Sequence, residues 1–248
     1  MPLQNRDSLK SYFRKGQLPS EGNFHDLIDS AINKVDDGMS KTMEEGLILA
    51  PIGDSRKLLS FYKNIEDKSP VWKAEVNDLN SDLVLTNKVG DSVLGLSDEG
   101  RVSINKESAD YALDINGAAA FKTRIGNAYK GKVPADGKWH KIVEGLNGCH
   151  MLEIVAGAGK KKTGKYALLH ALAVSTYGKS KNRIKRTQAY YGIRANRIRL
   201  KWTGTTYDFN LEIKTRSNYG ENMAICYHIQ ELWDDPFMDS CVLNESED

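Results

Sequence analysis

Several features that would narrow the chemistry of this chain are scarce or missing. Three widely spaced cysteines in 248 residues, with no Cys-x-x-Cys pair, build neither a disulfide framework nor a four-cysteine zinc site. No apolar run approaches the roughly 20 residues that a spanning helix needs, so insertion into a membrane by a helix is not expected. Met1 to Gly16 is polar and lacks a signal-peptide core, which predicts assembly in the cytoplasm. Net charge is nearly absent as well. The 35 Lys+Arg and 33 Asp+Glu leave only +2, so no whole-chain electrostatic argument points to nucleic acid or membrane. What is present, 40% hydrophobic and 27% charged residues, reads as a soluble folded chain long enough for one large domain or two smaller ones.

The small net charge hides an asymmetry. Residues 1–125 carry 16 basic and 20 acidic residues. Residues 126–201 carry 17 basic and 3 acidic, and residues 202–248 carry 2 basic and 10 acidic. Either the last two segments fold together and neutralise each other, or a basic surface meets an anionic partner.

Three regions follow from the patterning. Residues 1–45 read as two short helices. Ser8 can cap the first, and Gly16 stands where a C-terminal glycine is expected. Pro19-Ser20-Glu21 opens the second, whose Phe24, Leu27, Ile28, Ala31 and Ile32 share one face until Asp36-Asp37-Gly38 ends it. Two such helices cannot bury their apolar stripes alone.

Residues 46–125 hold short apolar stretches between turn signals such as Asn87-Lys88-Val89-Gly90 and Asp98-Glu99-Gly100. Strands this short are expected to stack narrowly, pairing locally or with another chain. Residues 126–248 read as an antiparallel β head with an acidic tail from 234 onward. Ile198-Leu200-Trp202, Phe209-Leu211-Ile213 and Ile225-Tyr227-Ile229 alternate in three strands, which predicts a meander with one wet face.

Each motif has a plain structural alternative. Gly159-Lys160-Lys161-Lys162-Thr163-Gly164-Lys165 has phosphate-loop spacing, but Tyr166 stands where a Mg²⁺-binding Ser or Thr is required, so a solvated hairpin tip is preferred. Lys179 to Arg186 reads as a basic helix or loop and has no nucleic-acid-binding motif beside it. Cys226 and His228 share a strand face but have no second pair to complete a metal site. No carboxylate pair or nucleophile–histidine set stands out, so neither an enzyme nor a cofactor is expected. Trp139, Trp202 and Trp233 are assigned to the core or a domain seam, and Tyr190, Tyr191, Tyr207 and Tyr219 to exposed contacts.

Leu9-Lys10-Ser11-Tyr12-Phe13-Arg14-Lys15-Gly16-Gln17-Leu18-Pro19 through Ser30 resembles the opening module of fibre-like proteins of phage-tail-derived contractile injection systems. Val93 to Ile104 and Ala112 to Ala120 resemble their shaft segments. Val133 to Trp233, with Lys214-Thr215-Arg216-Ser217-Asn218-Tyr219-Gly220, is similar to their adhesin-like head. The resemblance implies a mainly β homotrimer with a helical base (1–45), an elongated intertwined shaft (46–125) and a sandwich-like tip (126–248).

It also implies attachment to a baseplate or another particle component, and release by lysis as part of an extracellular particle. The attachment stripe is expected at Phe24, Leu27, Ile28 and Ile32. A cell-surface glycan or protein is expected to meet Lys160, Lys161, Lys162, Arg183, Tyr190, Tyr191 and Tyr219. A stand-alone lectin-like module is the alternative, and a glycan-degrading enzyme on a fibre tip comes third.

Overall fold

The computed structural model describes residues 5–32, 34–77 and 80–243. The chain divides into two units, Met1–Ala120 and Phe121–Asp248. It is mainly β, with two short helices.

In the first unit, α1 (Arg6–Tyr12) is capped by Asn5, whose side chain accepts from the Ser8 amide, rather than by Ser8 itself. An asparagine one turn earlier does the same chemistry, satisfying an orphan N–H of the first turn. Helix α1 ends at Tyr12, short of Gly16. Helix α2 (Glu21–Asp29) begins at Ser20, with reciprocal Ser20–Asn23 bonds forming a capping box. It stops at Asp29, before the expected Asp36-Asp37-Gly38, so Ile32 lies beyond it. Phe13 and Phe24 meet edge to face at 5.6 Å.

A hairpin, β1 (Met39–Thr42) with β2 (Gly46–Leu49), follows. Then β3 (Lys57–Phe61), β4 (Trp72–Val76), β5 (Leu83–Asn87), β6 (Ser92–Leu96), β7 (Val102–Ile104) and β8 (Leu113–Ile115) form one sheet in sequence order. Each of these strands therefore has a partner within the chain. Pairing is antiparallel except between β7 and β8.

Turn chemistry sets this order. The Asn87 side chain accepts from three following amides, and Gly90 turns with φ +104°. The register sorts residues onto two unlike faces. One carries Phe61-Trp72, then Leu59-Ala74-Leu85-Leu94-Ile104-Ile115, then Val76-Leu83-Leu96-Val102-Leu113. The other carries Ser60-Lys73-Thr86-Ser92 and Glu75-Val84-Gly95-Ser103-Asp114. The β7–β8 connection bonds on this polar side, with Ser92 Oγ donating to Lys106 O and Lys106 Nζ 2.6 Å from Asp114. Among the described residues of this unit, Ala74 and Ala109 are the buried apolar ones.

The second unit contains the core. β9 (Tyr129–Pro134), β11 (Cys149–Gly159), β12 (Tyr166–Thr176), β13 (Arg183–Tyr190) and β16 (Ala224–Glu231) form one sheet in the order β13-β12-β11-β16-β9. β10 (His140–Leu146), β14 (Ile198–Gly204) and β15 (Phe209–Thr215) form the other, in the order β10-β15-β14. The expected three-strand meander is corrected. β14 and β15 make a hairpin, but β16 crosses to the larger sheet and lies between β11 and β9. Alternation showed that each strand has one inward face; it carried no record of which layer supplied it.

Leu152, Ile154 and Leu169 from one sheet meet Ile198, Leu211 and Ile213 from the other, all at most 2% exposed. The wet face of the smaller sheet carries Lys201–Glu212 at 2.9 Å, with Lys201 and Lys214 over the Trp139 ring at 4.6 and 4.8 Å. Residues 183–186, expected in a helix or loop, belong to strand β13, because Val174 to Ala167 offers a free partner edge. The start of the acidic tail is tied to the head, where Pro236 O accepts from the Cys149 amide, and Asp235 accepts from Ser240 within the tail. Residues 244–248 of that tail lie outside the described residues.

Candidate functional site

The β11–β12 hairpin projects the loop Lys160-Lys161-Lys162-Thr163-Gly164-Lys165 from one end of the head. Lys160, Lys161 and Lys162 are exposed. The loop is held from within. Thr163 Oγ1 donates to Lys160 O, the Lys162 amide donates to the Tyr166 hydroxyl, and Lys162 turns with φ +70°. Lys165 leaves this group; its Nζ donates to Asn218 O at 2.9 Å. Three lysines thus stand together in solvent on a fixed turn, a short-range cationic patch.

Aromatic and aliphatic side chains lie beside it. Tyr191 (65% exposed) meets Tyr166 edge to face at 6.3 Å, and Leu168 and Ile193 are 68% and 67% exposed. Sequence reasoning missed Tyr166, Leu168 and Ile193. In β12 both parities are apolar, Tyr166-Leu168 on one side and Ala167-Leu169 on the other, so period 2 alone does not say which faces out. The narrow Ala167-Ala171-Ala173 row was the available signal, because small residues mark the close-packed side.

The other expected contact residues separate. Tyr190 is half-buried under the Arg197 guanidinium, 4.7 Å from its ring, and its hydroxyl accepts from Arg197. Arg183 is exposed but starts β13, seven residues from Tyr190, about 23 Å along an extended strand and away from the lysine loop. Tyr219 is corrected outright: it is 4% exposed in the core, and its hydroxyl donates to Asn196 O. Burial pushes its phenol up to about 12. A turn residue was expected to point outward, but the turn folds back over the sheet end, where the ring fills the space beneath Lys165.

In the first unit, Phe24, Leu27 and Ile28 of α2 are 49%, 42% and 66% exposed, and Ile32 beyond the helix is 66% exposed, so these side chains face solvent within the chain. No group of three or more His, Cys, Asp or Glu among the described residues is placed to hold a metal. No helix among them is long and apolar enough to cross a membrane. Comparison with protein-family models and with curated proteins gives no match in either case.

Proposed function

We propose that this chain is a fibre-like structural protein of a contractile injection particle, working as a homotrimer, whose head meets a cell-surface ligand through its lysine-loop end. The observation that carries the reading is the apolar face of the six-stranded sheet. Six of its residues, Phe61, Trp72, Leu59, Leu83, Leu96 and Leu113, are between 36% and 54% exposed. A contiguous apolar face of this kind on a soluble chain marks an association surface. Three copies turning these faces inward would form one shared core, with the polar faces outside. That shaft would be a prism of locally paired sheets rather than strands exchanged between chains.

The base fits the same reading, because the exposed stripe of α2 offers an apolar contact to a docking component. The head supports the third part: the exposed lysines beside Tyr166 and Tyr191 combine charge with rigid aromatic area at low entropic cost. A stand-alone lectin-like module is favoured by one fact, the self-contained core of the second unit. It leaves the apolar sheet face unexplained.

Solution mass decides between them. Light scattering of the full chain is expected to give three times the chain mass of 27.7 kDa. A monomer at micromolar concentration would remove the fibre reading. Replacing Leu27 and Ile28 with Asp is expected to leave the head folded and detach the protein from its particle.

A further inference from the structure

The two sheets of the head come together along one side at β13 and β14, the edge strands of the larger and the smaller sheet. At Gln188 this seam is closed, because the Gln188 side chain accepts from the Ile198 amide at 3.2 Å. Toward the start of β13 it opens. A recess of about 450 Å³ there is lined by Ile184 from β13, Trp202 and Gly204 from β14, Phe209 from β15 and Gly178 from the preceding turn.

The backbone of β13 is unpaired along this opening. The Tyr191 amide donates to Tyr166 O, so the alternation of an antiparallel ladder turns the backbone groups of Arg183, Lys185, Thr187 and Ala189 toward β12. Those of Ile184 and Arg186 point the other way, and among the described residues no strand pairs with them. An open edge of this kind is a template for an added strand.

Charge selects the strand. The turn before β13 and its first residues carry Lys179, Lys181, Arg183, Lys185 and Arg186, all exposed, and none has an ion-pair partner among the described residues. Such a row keeps a second copy of the same basic strand away and favours an acidic one.

An acidic segment leaves the head beside the opening. Pro236 O accepts from the Cys149 amide, Gly148 O accepts from the Tyr177 amide, and the next residue, Gly178, lines the recess. The tail rooted at Pro236 continues to Val242 and Leu243, which are 72% and 91% exposed. The sequence then runs Asn244-Glu245-Ser246-Glu247-Asp248, three carboxylates in five residues with no lysine or arginine. Seven extended residues reach about 23 Å, more than the roughly 13 Å from Ile184 to Gln188 along β13.

We propose that residues 242–248 add to β13 of the same chain as an acidic edge strand, bonded to the backbone of Ile184 and Arg186 and held by the basic row, so that the tail closes the seam of the head. The inference concerns the head alone and stands apart from the fibre reading.

The test is residue-resolved hydrogen exchange of the full chain, read at Ile184 and Arg186. Their amides are expected to exchange about 10-fold more slowly in the parent than in the triple variant Glu245→Gln, Glu247→Gln, Asp248→Asn, the worth of one backbone hydrogen bond. Salt at about 1 M, which cuts the screening length to about 3 Å, is expected to remove most of that difference. The Lys185 and Thr187 amides face β12 and are expected to stay protected in both proteins, reporting that the strand is intact. Dilution of the parent about 10-fold is expected to change nothing.

Equal rates at Ile184 and Arg186 in parent and variant would overturn the proposal. Fast exchange in both would leave the edge open, and slow exchange in both would give it another occupant. Protection lost on dilution would also overturn it, by assigning the edge to a second copy. Solution mass measured on the same samples reports the oligomer separately, so failure here leaves the fibre reading untouched.

Discussion

Two residues show how burial redirects side-chain chemistry. The hydroxyl of Tyr219 donates to a backbone oxygen inside the head, so Tyr219→Phe removes a bond and leaves Asn196 O unpaired. A loss of about 1 kcal/mol is expected in chemical denaturation of the head; an unchanged midpoint would show that the hydroxyl adds nothing. Because burial raises its phenol to about 12, Tyr219 is expected to stay protonated well above the ordinary phenol value of about 10. Ultraviolet titration of Tyr219→Phe against the parent isolates that late step.

Glu212 shows the opposite balance. Burial pushes its carboxyl up, but bonds from Lys201 and Thr203 outweigh it and hold the group below its ordinary value. A depressed folded pKa means that the unfolded chain takes up the proton first. Its contribution is therefore full above about pH 4.5 and is lost as pH falls through the lower folded value. Glu212→Gln is expected to flatten the acid limb of the stability curve and change its shape little above pH 6.

At the level of elements, the six-stranded sheet is the informative case. Its register puts nearly every large apolar side chain on one side, so a single charge there should act on association rather than on strand pairing. If the chain associates through this face as proposed, Leu96→Asp, at a 42% exposed position, is expected to yield monomer while the head keeps its circular dichroism. A trimer that persists would move the contact elsewhere. The lysine loop is the matching case in the head. Lys160→Ser and Lys161→Ser with Lys162→Asn, the last chosen for its left-handed backbone, should reduce the proposed cell binding without loosening the hairpin. The remaining binding should then depend less on salt, since exposed charges are screened within about 10 Å at 0.1 M.

For the whole molecule, the contrast between the units predicts unequal independence. The second unit has a core of side chains from two sheets and is expected to fold alone as residues 121–248 with a cooperative melt. Among the described residues of the first unit, the buried apolar ones are Ala74 in the six-stranded sheet and Ala109 in the β7–β8 connection. Ordering its backbone costs about 1–2 kcal/mol per residue, so residues 1–120 are expected to be folded when associated and unstructured as dilute monomer. A concentration-independent, monomeric β spectrum for 1–120 would refute this.

Local chemistry alone determined the mainly β character, the helix start at Ser20, the turns at Asn87 and Asp98, and the inward rows of β14 and β15. Each depends on neighbours within a few residues, through capping, φ preference or period-2 alternation. The exposed stripe of α2 was legible for the same reason. Tertiary structure decided the rest. Whether β16 joined its neighbours or crossed to the other sheet depended on which layer lacked a strand between β11 and β9. Whether Tyr219 faced water or the core depended on how its turn folded back, and whether Arg183 joined the lysines depended on the direction of β13.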